Sequence, residues 1–212
     1  MILKHHFSTL QSASIHSTLR YVQDVGCWTT SLTTSLSIPV TTPMGALANS
    51  LDRLCHEASS DPSTLVVATD ASVIPPRNMQ AVSVAHFWRL GEQVSLSKAP
   101  AGRATALDAE LFAIRLGVVK FTSFDVKRIV IITDSLTAAR RAVDASVHSG
   151  QAHSLAMVQA LRGFFTNHPD RSIHFWDCPS KVQWSLHFLA HEDATSTKIA
   201  TGRHPATSLD AL

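Results

Sequence analysis

Two stretches of the chain end an apolar run in a carboxylate: "LVVATDAS", residues 65–72, and "RIVIITDSLTAARRAV", residues 128–143. Asp70 and Asp134 each follow a threonine at the end of the run. Ile129-Val130-Ile131-Ile132 is β-branched and apolar on both parities, the pattern of a strand buried on both faces. Asp134 and Ser135 also stand where helix N-caps stand, ahead of Leu136-Thr137-Ala138-Ala139. Capping would explain one such acid but not the repetition. Two further acids border apolar stripes. In "ALDAELFAIRLGVVKF" the stripe is Leu107, Leu111, Ile114, Val118 and Phe121, and Glu110 lies beside it on the sheet-facing side. Asp108 suits the first turn of that helix, where negative charge is favourable. Asp193 follows Leu186, Leu189 and Ala190 by seven, four and three residues, which places it on their face, while Glu192 lies off it.

Asp70, Glu110, Asp134 and Asp193 are therefore candidates to converge. Two carboxylates at about 4 Å repel by roughly 4 kcal/mol at an effective dielectric near 20, so a cluster without a cation is a poor structural device. Hard divalent ions with oxygen ligands remove that cost, and Mg²⁺ suits a carboxylate site that keeps several waters. Two such ions about 3.5–4 Å apart serve phosphodiester hydrolysis, one activating a water and the other steadying the leaving oxygen. Other residues read more plainly. His187 and His191 have a zinc-compatible spacing, but only Cys178 and Asp177 stand near them in sequence. A surface helix face shared with Trp184 and Phe188 is the favoured reading. Arg140 and Arg141 suit either solvated helix charge or a nucleic-acid backbone. Trp176 and Trp184 read as core or edge aromatics.

The elements that must position the four acids follow from periodicity and turn signals. Strands are expected at 65–70, 81–88, 93–98, 129–133 and 172–178, and helices at about 106–120, 135–144, 153–165 and 186–198. Hairpins followed by β-α crossovers predict an α/β fold with a five-stranded mixed sheet flanked by helices. Residues 1–63 differ: of residues 1–64, twenty are Ser or Thr, and Pro39 and Pro43 interrupt them. One helix is expected there, at 44–58, with Leu47, Leu51, Leu54 and Cys55 on one face. The segment reads as an extension or a fragment of a neighbouring domain, ahead of a domain at 64–200 and a tail at 201–212.

The 212 residues are 45% hydrophobic and 16% charged, enough for a packed core and against wholesale disorder. A formal charge of +2 is too small to imply nucleic acid by itself. Cys27, Cys55 and Cys178 are odd in number and far apart, which points to reduced thiols. No apolar stretch reaches the roughly 18 residues of a membrane span. A secretory apolar core is absent from "MILKHHFSTL". A soluble intracellular protein is expected, with nucleus and cytoplasm not distinguished.

The blocks "TDAS", "AELFAI", "ITDSLTAARRA" and "HFWDCPS…HEDAT", in that order, resemble a type 1 ribonuclease H domain over about residues 64–200. The version that follows the reverse transcriptase in non-LTR retrotransposon polyproteins is the nearer likeness. The resemblance implies a ribonuclease H-like fold and endonucleolytic cleavage of the RNA strand of an RNA–DNA hybrid. It implies two Mg²⁺ or Mn²⁺ held by Asp70, Glu110, Asp134 and Asp193, with Ser72, Ser135 and Lys181 toward the nucleic acid. A monomeric module, cut from a larger polyprotein or acting alone, would follow.

Three departures qualify that implication. Ala71 replaces the usual Gly of Thr-Asp-Gly-Ser, which the backbone tolerates where φ is negative. Lys181 stands where the family commonly has a loop histidine after Pro-Ser; it can touch phosphate but cannot serve as an acid–base group near neutrality without a large pKa drop. The Gly-Asn-rich turn before the last helix is replaced by "VQWSLHFLAHED", so Glu192 and Asp177 stand as alternatives to Asp193. A catalytically silent nucleic-acid-binding remnant and a 3′–5′ exonuclease of the same fold are the rival readings.

Overall fold

The computed structural model describes residues 16–19, 33–34, 44–74, 79–166, 168, 170–179, 181–182 and 184–201. Pro39, Cys27, the Pro75-Pro76 loop, Ser180 and the tail from 202 onward lie outside the described residues. The elements are β1 (His16–Leu19), β2 (Thr33–Thr34), α1 (Met44–Ser60), β3 (Thr64–Ser72), β4 (Ala81–Arg89), β5 (Glu92–Gly102), α2 (Ala106–Phe121), β6 (Arg128–Thr133), α3 (Leu136–Ala142), α4 (Gln151–Phe165), β7 (Ser172–Asp177) and α5 (Ser185–Ser196).

Backbone pairing joins these strands into one sheet of order β2-β1-β7-β6-β3-β4-β5. β3, β4 and β5 are antiparallel neighbours, while β6 and β7 run parallel to β3. Those five strands form the five-stranded mixed sheet that the element order predicts. The sheet is wider than five strands because β1 pairs antiparallel with β7 and β2 with β1. The outer edge of β7 is thereby covered rather than left as an open row of backbone groups. β5 runs well beyond the expected 93–98. Pro100, which reads as a strand breaker, pairs opposite Val82 on the sheet's free edge, where a missing N–H costs little. Leu90 (φ 53) and Gly91 (φ 79) make the two-residue β4–β5 turn with both central residues left-handed, the geometry that matches strand twist.

Strand parity divides the core in two. Leu65, Val67, Ile129 and Ile131 face α2, α3 and α4, where Leu111, Ile114, Val118, Phe121, Met157 and Leu161 close over them. Val66, Val130 and Ile132 face the other side, against Leu51, Cys55 and Ala58 of α1 together with Trp176, Cys178 and Trp184. α1 therefore closes the second core of the sheet. Cys55 and Cys178 are free and buried there. Both tryptophans are buried, and the Trp184 indole N–H donates to Asp52 Oδ1 on α1. That bond ties the start of α5 to α1.

α5 lies on the same side, over β3 and β4, but its buried face is not the one its leucines suggest. His187, Ala190 and Ala194 are its buried residues, while Leu189 and Phe188 are exposed. Ala194 packs on Val82 and Val84. Small residues let the helix lie close to the sheet, and the positions 187, 190, 191 and 194 share one helical face. The expected surface placement of His187 is corrected by this rotation. No helix among the described residues is long and apolar enough to cross a membrane.

Candidate metal centre

Parallel β3, β6 and β7 are neighbours, so their C-terminal ends share one edge of the sheet. Ala68 pairs with Ile132 and Thr133 with Asp177, which brings Asp70, Asp134 and Asp177 side by side at that edge. Ligands of open α/β sheets bind outside such carboxyl ends. The Thr69 hydroxyl donates to Ile132 O at 3.2 Å and Cys178 N donates to Thr133 O at 2.9 Å, fixing the three strand ends to one another. Ser135, not Asp134, caps α3: its hydroxyl accepts from Ala138 N at 3.3 Å. Asp134 is left to face its neighbours.

Glu110 comes from the opposite side of the sheet, on the second turn of α2. Thr105 caps this helix by accepting from Asp108 N at 3.2 Å, and the buried Asp108 accepts from the Ser149 hydroxyl at 2.6 Å. α2 approaches the sheet closely at Gly117, where a Cβ would stand 3.0 Å from Val67 Cγ1. The approach lets Glu110 Oε1 accept from Ala71 N at 3.1 Å, at the end of β3. Glu110 Oε2 is buried with no hydrogen-bond partner.

α5 contributes imidazoles. His191 Nδ1 lies 3.3 Å from Asp70 Oδ2, and His187 Nε2 lies 3.6 Å from Asp70 Oδ1. His187 is buried, and its Nε2 lacks a hydrogen-bond partner. Ligand atoms of Asp70, Asp134 and His187 gather within 4.8 Å of one another.

The electrostatics are those of a site short of positive charge. Burial, reinforced by the Asp134 carboxylate, pushes Asp70 up to about 7, against the pull of His191 and the Ala71 N–H. Burial and the charges of Asp70 and Asp134 hold Glu110 well above the usual carboxylate range. Burial and then Asp134 raise Asp177 to about 6, with Arg140 partly offsetting them. Cys178, behind the strand ends, is pushed up to about 12 by burial and by the same two aspartates. Burial holds His187 below the ordinary imidazole value, against the pull of Asp134.

Of the sequence-predicted residues, Asp70, Glu110 and Asp134 come together. Asp193 does not. Its carboxylate is taken by His86 Nε2 at 2.8 Å and Lys98 Nζ at 2.7 Å, on β4 and β5. The physical reason is the rotation of α5, which turns Asp193 to the flank and the histidines inward. Asp177 joins the strand-end group, whereas Glu192 is exposed. Ser72 is half-buried at the end of β3, and Lys181 is exposed in the turn after β7. His187 and His191 are the residues that sequence reasoning passed over. Their i, i+4 spacing was a usable signal, but their partner is Asp70, distant in sequence, rather than Asp177 or Cys178.

The donor set fits a divalent cation: Asp70, Asp134 and His187 offer ligand atoms within 4.8 Å of one another, and Glu110 Oε2 and His187 Nε2 are buried without hydrogen-bond partners.

No protein-family model and no curated protein matches the chain. Among solved structures, ribonuclease H1 from the halophilic archaeon Halobacterium salinarum is 19% identical, covering 63% of this chain and 99% of its own, with a TM-score of 0.46. The N-terminal ribonuclease H domain of rv2228c from Mycobacterium tuberculosis is 18% identical over 63% of this chain and 97% of its own, with a TM-score of 0.46. The foamy viral protease–reverse transcriptase, solved with an RNA/DNA hybrid, is 15% identical over 64% of this chain and 20% of its own, with a TM-score of 0.49. The strand order and directions of the sheet carry the fold assignment.

Proposed function

We propose that this chain hydrolyses the RNA strand of RNA–DNA hybrids endonucleolytically, with two Mg²⁺ or Mn²⁺, as a monomeric ribonuclease H module derived from a non-LTR retrotransposon reverse transcriptase polyprotein. The observation that carries the reading is the gathering of Asp70, Glu110 and Asp134 at one sheet edge, where among the described residues no lysine or arginine is ion-paired with them. Asp70 and Asp134 hold the ions, and Glu110, fixed by the Ala71 N–H, completes the carboxylate set. Bound there, the ions supply a water of lowered pKa and a counter-charge for the leaving oxygen. In the reaction, water adds to phosphorus and one phosphodiester P–O bond breaks. Ser135 accepts a backbone N–H as helix cap, which leaves its own hydroxyl proton to donate to a phosphate oxygen. Lys181 reaches phosphate as an exposed cation. Preference for a hybrid follows from groove shape and 2′-hydroxyl contacts.

The test is cleavage of a labelled hybrid with Mg²⁺ and then Mn²⁺, beside Asp70→Asn and Asp134→Asn, with an end-blocked substrate to expose an exonuclease. The expected result is cutting of the RNA strand by the wild type alone. A second reading is a silent nucleic-acid-binding protein of the same fold, favoured by the diversion of Asp193 and by Lys181 in the loop. Folded wild-type protein that cuts with neither metal would move the conclusion there.

A further inference from the structure

That Asp70, Glu110 and Asp134 form a cation site rests on the reading just given; an imidazole donor beside them does not follow from it. α5 brings an imidazole to that position. His187 is 5% exposed, its Nε2 has no hydrogen-bond partner, and it lies 3.6 Å from Asp70 Oδ1. Its ligand atom falls within 4.8 Å of those of Asp70 and Asp134. The one acid α5 turns toward β4 and β5, Asp193, is already held by His86 and Lys98. Asp70 has one oxygen toward each histidine: Oδ2 is oriented by His191, and Oδ1 faces His187.

We infer that His187 is a direct ligand of the cation beside Asp70 and Asp134, and that an imidazole among these carboxylates makes the site select a transition-series divalent ion over Mg²⁺. Mg²⁺ demands a near-ideal octahedron of oxygens and gives up water reluctantly. Imidazole nitrogen is a softer donor, and affinity for it climbs from Mn²⁺ through Co²⁺. A buried, partnerless Nε2 that must otherwise go without a hydrogen bond pushes the choice the same way. His191 is a positioning residue, since its bond to Asp70 leaves Oδ1 directed at the shared site.

The experiment uses the full chain with one equivalent of Mn²⁺ alone, read by pulsed EPR for coupling to a directly bound ¹⁴N. Asp134→Asn reports any adventitious binding at the chain's other histidines. Nitrogen coupling is expected in the wild type and absent in His187→Ala and His187→Asp. Outer-sphere partners alone are worth about 10–100-fold in metal affinity, so His187→Asp should narrow the Mn²⁺-over-Mg²⁺ preference by at least about tenfold. Mn²⁺ that binds through Asp134 without nitrogen coupling overturns the inference and leaves the carboxylate site and the nuclease reading standing. Coupling that survives in His187→Ala also overturns it, because another imidazole is then the ligand. Absence of any Asp134-dependent Mn²⁺ binding overturns both. Where the alanine variant fails to fold, His187→Asp carries the assignment, and a wild-type spectrum without nitrogen coupling overturns the inference by itself.

Discussion

Two aspartates meet histidines across the α5–sheet contact, Asp193 from the helix and Asp70 from the strand beneath it. Asp193, with its side chain 31% exposed, sits between His86 and the ammonium of Lys98. The Lys98 bond, ahead of its neighbours, holds its carboxyl below the ordinary value. Asp70, its side chain 3% exposed, pairs with no lysine or arginine among the described residues, and burial with Asp134 beside it drives its carboxyl the other way, to about 7. The same residue types thus make a satisfied structural pair at one place and an unsatisfied cluster at the other. What differs is who supplies the positive charge. Where the chain supplies it, the acid is spoken for; where the chain withholds it, the geometry suits an ion from solution.

The sharpest way to break that contrast is to neutralise each acid and measure hybrid cleavage. Asp70→Asn should lower the rate by at least about a hundredfold, more than the loss of an outer-sphere partner. Asp193→Asn should stay within about threefold of wild type, since surface ion pairs contribute about 0–1 kcal/mol. Equal losses from the two substitutions would mean that Asp193 reaches the site and that the pairing with Lys98 is not its working state.

The same contrast explains which parts of the site were legible beforehand. Asp70 and Asp134 end strands whose apolar runs have fixed register, so their convergence follows from parallel pairing. Glu110 follows from a long helix with an unambiguous stripe. α5 offered no such guide. Its leucines suggested one face, yet the helix packs through Ala190 and Ala194, because close contact with β3 and β4 favours small residues over large ones. Rotating the stripe by one position exchanges Asp193 for His187 and His191. β1 was obscured differently, because a Ser/Thr-rich segment gives weak periodicity and only pairing with β7 shows where it belongs; α1 was legible as a helix, and only its bond to Trp184 shows what it packs on.

Stability against pH should separate the two aspartates by sign. With a chelator present, native Asp70 keeps a proton that the unfolded chain gives up between its ordinary 3.8 and about 7. Unfolding then releases a proton, so this group's contribution falls as pH rises through that window. Asp193 is the reverse case, its lowered pKa giving stability that is full above the ordinary carboxylate value and lost as pH falls through the folded one. His187, also lowered, opposes Asp70 below the ordinary imidazole range, so differences between variants are the proper measure. In urea titrations the gain of Asp70→Asn over wild type should grow from pH 4 to 7, with a ceiling of roughly 4 kcal/mol. Asp193→Asn should show no gain at any pH. A flat difference for Asp70→Asn would mean that its carboxylate is ionised and already paired.

The smallest expected effect asks whether Asp193 stays where it is when its partner is removed. Lys98→Met leaves His86 bonded to Asp193 and removes a pair whose members are each about one-third exposed. Solvent screening limits the loss to about 0.2–1 kcal/mol in a denaturant titration. The helix argues that the freed carboxylate does not swing inward, because Asp193 lies two positions after His191, a step of about 200° around the axis. Mg²⁺ affinity, read by titration calorimetry, should therefore match wild type in Lys98→Met. Tighter Mg²⁺ binding would show that the ammonium had been holding a fourth carboxylate away from the site, and that the contrast between the two aspartates is a switch rather than a fixed division of labour.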